Sequence, residues 1–185
     1  QQEHFGSLYE GRFEESLRMM HGYRAKILGK ETNVIPQSYS YSGTQPSSSY
    51  PDISNRKLFD GITANPGDLF DSSWVGINSD HVEVIAKLPS FLVVQWVGVH
   101  VAAFLESSVT LPVAISISKS ADNGKSWTNP VLSNTPFIPT GNGEYVIGNL
   151  DALSDDRIPC NMINITLIKS AADWTFLSEG EIVAY

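Results

Sequence analysis

Residues 57–76 read Lys57-Leu-Phe-Asp-Gly-Ile-Thr-Ala-Asn-Pro-Gly-Asp-Leu-Phe-Asp-Ser-Ser-Trp-Val-Gly76, between segments that have strand character. Asp60-Gly61 and Asn65-Pro-Gly-Asp68 are turn sequences, in which glycine supplies a positive φ and proline fixes its own. Turns this tight can aim several backbone carbonyls inward. The stretch is therefore interpreted as a tightly folded loop.

Five side chains of this loop carry hard oxygen donors, namely Asp60, Thr63, Asn65, Asp68 and Asp71. Ca²⁺ prefers about six to eight oxygen ligands from carboxylates, carbonyls and water. The spacing of an EF-hand, with its glutamate at the twelfth position, is missing. The loop can thus hold calcium, or its polar side chains can simply cap one another's turns, and the residues alone leave both interpretations open.

Composition restricts the partners. The chain has 185 residues and a formal net charge of −8. Nucleic acids and anionic membranes call for clusters of Lys and Arg, which the sequence lacks, so neither is expected as a partner. A single cysteine, Cys160, excludes an intrachain disulfide and is expected to be a small buried hydrophobe. No apolar run is long enough for a transmembrane helix.

Two regions separate along the chain. Apolar residues recur at three- and four-residue steps from Tyr9 to Leu28, which predicts one amphipathic helix. Residues 1–37 are assigned to this helix and a linker arm, and residues 38–185 to the main domain. The stretch from Tyr39 to Tyr50, rich in Ser, Tyr, Gly and Pro, is interpreted as a linker or extended arm leading into that domain. What covers the helix is left open between the domain, a removed preceding domain and another copy of the chain.

Beyond Asp60 the pattern changes to alternation or short apolar runs separated by turn signals, among them Leu88-Pro89 and Asp122-Asn-Gly124. Strands are predicted at His81–Lys87, Phe91–Phe104, Val113–Ser118, Tyr145–Leu150, Met162–Ile168 and Glu181–Tyr185. Many short strands with such turns indicate an all-β antiparallel sandwich. The run Phe91–Phe104 is apolar on both faces in places, which favours a central strand.

The order of these elements resembles the galactose-binding-like fold, in particular discoidin-type and carbohydrate-binding-module jelly rolls. The resemblance covers about residues 38–185 and rests on Tyr50-Pro-Asp52, Lys57-Leu-Phe-Asp-Gly61, Ser73-Trp-Val-Gly76, Val82-Glu-Val84, Leu111-Pro112, Ile117-Ser118 with Asp122-Asn-Gly124 and Trp127, and Trp174 to Ile182. It implies a jelly-roll sandwich, and the helix predicted from periodicity would form a short N-terminal α-helical extension of it.

The resemblance also implies one structural calcium, shared between the Asp-Gly loop and a glutamate in the last strand. Asp60 and Glu181 match those positions, and Glu179 competes with Glu181 because Ser178-Glu-Gly-Glu-Ile182 can be aligned in two registers. The expected metal ligands are Asp60, Thr63, Asn65, Asp68 and Glu181.

A sugar site needs an exposed aromatic ring for stacking and polar side chains for the hydroxyls. Trp74 and Trp96 are expected in the core. The candidates for binding are Trp127, Asn142, Tyr145 and Trp174, although packing is an alternative role for each ring. Asp151, Asp155 and Asp156 offer carboxylates for hydrolysis, but no catalytic motif accompanies them, so no enzyme activity is expected.

The resulting expectation is a non-catalytic carbohydrate-binding module that attaches to surface glycans or polysaccharide, outside the cell or on its surface. The alternative is an assembly protein, such as a virion decoration or tail component or a surface-layer subunit, that uses the sandwich for protein contacts. The N-terminal helix and the tyrosine-rich arm motivate the alternative, because such an extension can clasp a second copy or a neighbouring subunit.

Overall fold

A computed structural model of the chain describes residues 32–133, 138–139, 144–149 and 159–184. These residues form an antiparallel β-structure with two single-turn 3-10 helices, at Lys57–Phe59 and Leu105–Ser107. The strands are β1 Thr32–Asn33, β2 Ser38–Ser42, β3 Val75–Leu92, β4 Val94–Ala102, β5 Ala114–Ser120, β6 Val131–Ser133, β7 Ile138–Pro139, β8 Glu144–Asn149 and β9 Cys160–Ala184. The all-β sandwich predicted from the sequence is confirmed. The helix predicted over Tyr9–Leu28 lies outside the described residues.

The last strand, β9, connects the two layers of the sandwich. Strand β3 pairs with both halves of β9, whereas β5 pairs only with its first half and β4 and β1 only with its second half. The remaining strands extend these layers, with β2 beside β3, β6 beside β5, and β8 and β7 beyond β4. The register between β3 and β9 shifts between Ser79 and His81, and such an irregularity increases bending and twist. One long strand can therefore serve both layers.

The core lies between the layers and follows the expected alternation. In β3, Val82, Val84 and Ala86 are buried, and β9 presents Ile163 and Ile165 in the same way. A second cluster surrounds Trp74, whose indole is fully buried against Phe176 and whose Nε1 donates to the Asp68 carbonyl at 2.8 Å. Trp74 and Trp96 both belong to the interior, as expected.

The interpretation of Tyr39–Tyr50 as a linker is wrong for its first part. Ser38–Ser42 is strand β2, and both tyrosine rings, of Tyr39 and Tyr41, are buried. Their hydroxyls donate to the Asp52 carboxylate at 2.6 and 2.5 Å. Burial and this carboxylate raise the pKa of both tyrosines well above the usual value, so both remain donors. The alternation of Ser and Tyr is therefore a strand pattern with the tyrosines on the buried face. A tyrosine can lie in a core when its hydroxyl has a hydrogen-bond partner.

Other boundaries also differ from the prediction. Thr32–Asn33 pairs with Ala184 and Val183, so the sheet includes residues ahead of Ser38. The predicted strand Met162–Ile168 and the described part of the predicted strand Glu181–Tyr185 belong to one strand, β9, which ends at Ala184 and continues through Ser170–Trp174. The Asp122-Asn-Gly124 turn is confirmed by positive φ at Asn123 and Gly124. No helix within the described ranges is long and apolar enough to cross a membrane.

Candidate functional site

The Asp-Gly loop is attached directly to the last strand. The Gly61 amide donates to Glu179 Oε2 at 2.8 Å, and the buried Ala64 amide donates to Ser178 Oγ at 2.6 Å. Gly180 permits the close approach, because a Cβ at this position would lie 2.7 Å from the Phe59 ring. The residues from Asp60 to Ala64 are thus held against β9 by hydrogen bonds and by packing.

A cleft of about 440 Å³ lies between this loop and the strands, and we call it the acidic cleft. Its polar wall consists of Asp60, Thr63, His100, Glu179 and Glu181, and its other residues are Asn33, Val34, Ile35, Phe59, Gly61, Gly180 and Ile182. In the polar wall, His100 Nε2 lies 2.5 Å from Glu181 Oε2. The Glu181 carboxylate is therefore engaged with β4, whereas the Glu179 carboxylate faces the loop.

Glu179 is the most perturbed acid of the cleft. Burial raises the pKa of its carboxyl to about 8, and the negative charge of Asp60 adds to the rise, against the stabilising hydrogen bond from the Gly61 amide. Hydrogen bonding with the Asp60 carboxyl also raises this pKa. The second oxygen, Oε1, is buried, and no amide, hydroxyl or ammonium group of the described residues donates to it. A second carboxylate nearby and an unsatisfied buried oxygen are features that a bound hard cation would satisfy.

The predicted metal ligands divide into two groups. Asp60, Thr63 and Glu181 line the acidic cleft, together with the alternative Glu179. Asn65 Oδ1 instead accepts from the Gly67 amide at 2.9 Å, and Asp68 Oδ1 accepts from the Phe70 amide at 2.9 Å. These two side chains cap turns, as does Asp71, which accepts from the Asn65 and Ser73 amides.

The donor set of the cleft suits calcium better than a transition metal. Among the described residues, no group of three or more His, Cys, Asp or Glu side chains is arranged to hold a metal. A cation beside Asp60 and Glu179 would therefore need the Thr63 hydroxyl, backbone carbonyls and water. Calcium accepts such mixed oxygen ligands, so the residues present fit it.

A second group of residues lies where β9 bends, around Trp174. The indole is half-buried and packs edge-on against Tyr50, with ring centroids 5.9 Å apart, and against Phe176 at 6.2 Å. Its backbone amide donates to the Ser108 carbonyl at 3.1 Å, and its carbonyl accepts from the Thr110 amide at 3.2 Å. The ring is thus held in place from both sides while part of it remains in contact with solvent.

A polar segment of β3 begins opposite Trp174. Asn78 is exposed and is the cross-strand partner of Trp174, so both side chains are on one face. Asp80 and His81 follow at the register shift, and His81 Nδ1 lies 2.7 Å from Asp80 Oδ1. Their side chains are 72% and 43% exposed, respectively. We call Tyr50, Asn78, Asp80, His81 and Trp174 the Trp174 platform.

The other residues predicted for sugar binding lie elsewhere. Trp127 is half-buried beside Gly124, in the hairpin that follows β5 at the far end of the strands. Tyr145 is partly buried and packs against the main core from β8. Asn142 lies outside the described residues. The structure therefore does not place these residues next to Trp174.

Sequence reasoning missed most of the platform. Asn78-Ser-Asp-His81 is a polar run inside an otherwise apolar strand, which was an available signal. Tyr50 had no such signal, because only its packing over Gly76 and Phe176 brings it to Trp174. In the acidic cleft, the engagement of Glu181 with His100 was equally invisible, because the two residues meet only through the pairing of β4 with β9.

Comparison with known proteins identifies the fold. No protein-family model matches the sequence, and no curated protein matches it. A Streptococcus pneumoniae fucose-binding module matches with a TM-score of 0.54 at 12% identity, covering 82% of this chain and 94% of that one. The family 32 carbohydrate-binding module of C. perfringens NanJ, in complex with galactose, matches with a TM-score of 0.51 at 13% identity, over 83% and 98% of the two chains.

The same fold also occurs in a protein complex. XRCC1 bound to the DNA polymerase β catalytic domain matches with a TM-score of 0.50 at 10% identity, covering 82% of this chain and 97% of that one. At such identities the likeness establishes architecture alone. The chain has the galactose-binding-like β-sandwich fold, as its sequence predicted.

Proposed function

We propose that the chain is a non-catalytic carbohydrate-binding module, that the Trp174 platform is its sugar site, and that calcium in the acidic cleft stabilises the fold. The main observation in favour of this sugar site is the packing and partial exposure of Trp174. Its ring is anchored by Tyr50 and Phe176, yet it remains partly exposed beside polar side chains.

Such an arrangement suits a pyranose. An aromatic ring packs against the apolar C–H face of a sugar, while a few polar groups orient the hydroxyls. Here the Asn78 amide can donate and accept, and the Asp80 carboxylate can accept from hydroxyls. Because Trp174 is already held in position, little side-chain entropy is lost when a sugar binds, which favours affinity.

The calcium proposal rests on the cleft rather than on the turn residues. Asp60, Thr63 and Glu179 are the ligands that we assign, with backbone carbonyls and water completing the shell. Glu181 is paired with His100, and Asn65 and Asp68 do not line the cleft. A cation here would neutralise the two carboxylates and would join the loop to β9, so its binding energy would add to the stability of the fold.

The proposed partner is a glycan or polysaccharide on the outside of a cell, and structurally similar domains include a fucose-binding module and one in complex with galactose. The test is a broad glycan array probed with the purified chain, with calcium and with chelator. Selective binding that is lost in Trp174→Ala but kept in Trp127→Ala supports the proposal. A blank array under both conditions, with a folded chain, contradicts it.

One observation favours the assembly alternative. Leu105 is 74% exposed in the loop that bonds to Trp174, and Phe70 is 81% exposed in the loop that packs on Trp74. Exposed apolar side chains on neighbouring loops are typical of protein contacts. Mass measurement of the full chain at high concentration, and of a version starting at Thr32 that keeps β1, tests this function, since monomers in both cases would contradict self-association through the N-terminal segment.

A further inference from the structure

We infer that the Trp174 platform selects uncharged glycans and rejects glycans whose sugars carry carboxylate or sulfate groups. This inference rests on the proposed function and concerns the same site. It follows from the charges that the described residues present around Trp174.

The exposed charge of the platform is negative. The Asp80 carboxylate is 72% exposed, and its immediate partner is His81. Any positive charge on this imidazole would be shared with the carboxylate 2.7 Å away. The platform therefore has no excess positive charge with which to attract an anionic sugar.

A cation does lie nearby, but it is wholly occupied. The Lys169 side chain is 0% exposed, and its ammonium contacts the Asp173 carboxylate at 2.5 Å. The same ammonium donates to the Thr110 carbonyl at 3.0 Å and to the Trp174 carbonyl at 2.7 Å. An ammonium has three protons, and these three acceptors use them all. Lys169 thus fixes the backbone under Trp174 and has no donor left for a ligand.

The other described Lys and Arg residues have their hydrogen-bond or strand partners outside the platform. Lys57 donates to the Ser72 carbonyl, and Arg56 lies in the turn whose amides bond to Asp52. Lys87 and Lys119 pair with Met162 and Ile163 near the start of β9, and Lys125 lies in the hairpin after β5. Met162, near the start of β9, is about 20 Å along the strand from Ile168, the cross-strand partner of His81, at about 3.3 Å per residue.

An acidic sugar would accordingly lose water at the platform without gaining a counter-charge from the described residues. Removing a charge from water without a partner is costly, and a like charge nearby adds repulsion, which is how a site excludes a wrong ligand. A neutral sugar meets no such penalty, because its hydroxyls can donate to Asp80.

The test compares matched ligands that differ only in a charged substituent: lactose against 3′-sulfated lactose, and galactose against galacturonic acid. Binding is measured at low ionic strength, where the Debye length is about 30 Å at 10 mM salt. We expect the neutral member of a bound pair to bind at least about 10-fold more tightly. Equal or tighter binding of the anionic member overturns the inference and leaves the proposed function intact, whereas absence of binding to every glycan overturns both.

A charge-neutral variant tests the role of Asp80. In Asp80→Asn the ratio of neutral to anionic affinity should fall by about 4-fold, the Coulomb effect of one charge at about 5 Å in water. Asp122→Asn is the matched control, because it removes the same charge from the hairpin at the opposite end and should leave the ratio unchanged. An unchanged ratio in Asp80→Asn, or an equal fall in both variants, overturns the assignment to the platform.

Discussion

Glu179 makes the stability of the metal-free protein dependent on pH in an unusual direction. Its carboxyl has a pKa of about 8 in the folded chain, because of burial and the neighbouring Asp60, against an ordinary value of 4.5. The folded chain therefore retains a proton that the unfolded chain releases. As the pH rises through this window the unfolded state gains relative to the folded state, so the free energy of unfolding should fall between about pH 4.5 and 8.

The size of the fall can be estimated. A rise in pKa from 4.5 to about 8 corresponds to about 5 kcal/mol, at about 1.4 kcal/mol per pH unit. Water in the open cleft reduces this figure, and we expect a loss of about 2 to 4 kcal/mol between pH 5 and pH 8 from this group. Calcium should oppose the loss, because it binds the ionised carboxylate and so competes with the proton.

The assay is urea unfolding of the chain at several pH values, with chelator and with calcium. Glu179→Gln has a neutral side chain at every pH, so it should lose this pH dependence, be more stable than the wild type at pH 8 in chelator, and gain nothing from calcium. Glu181→Gln is the matched control. It leaves Glu179 in place, so its stability should depend on pH and respond to calcium as that of the wild type does. The reasoning is refuted if metal-free wild type shows the same pH dependence as Glu179→Gln, or if that variant retains the full gain from calcium.

Three further changes test the loop, the anchor of β2 and the support of the platform. Asp60→Ala should abolish the rise in melting temperature on adding calcium, worth about 2.7 kcal/mol at 100 times Kd, whereas Asp68→Ala should keep it. Asp52→Ala should lower the free energy of unfolding by roughly 3 kcal/mol or more in urea, because two tyrosine hydroxyls and two backbone amides lose their buried acceptor. Gly76→Ala should cost about 1 to 3 kcal/mol by the same measurement and weaken glycan binding, because the new Cβ would lie 2.8 Å from the Tyr50 Cβ; a variant as stable as the wild type would contradict this.

Local patterns predicted much of the fold. Alternation in β3 and in the first half of β9 marked the buried faces correctly, and the Asp122-Asn-Gly124 turn needed only the conformational preferences of its residues. The pattern failed at β2, where Tyr39 and Tyr41 enter the core because Asp52 accepts from their hydroxyls. That carboxylate comes from a loop 11 to 13 residues further along the chain, beyond the range of the strand's own alternation.

The candidate site was less accessible to sequence reasoning. Glu179 and Glu181 are two residues apart in one strand, so their side chains are on the same face and periodicity cannot choose between them. The difference arises from long-range contacts, since the Gly61 amide reaches Glu179 and His100 of β4 reaches Glu181. The resemblance to the galactose-binding-like fold predicts that Asp60 lies near this strand. Only the three-dimensional contacts show which of the two glutamates faces the Asp60 loop.

Both proposed sites depend on β9, yet they should respond differently to the loss of calcium. Glu179 and Trp174 are five residues apart in this extended strand, so the acidic cleft and the platform are separated by roughly 16 Å at about 3.3 Å per residue. The platform is also held by contacts that the cleft does not share, including the edge-on packing of Tyr50 and the hydrogen bonds to Ser108 and Thr110. Chelation should therefore lower the stability of the whole domain while leaving the glycan affinity of the chains that remain folded nearly unchanged. A loss of affinity at temperatures well below unfolding would instead mean that the cation orders the platform through β9.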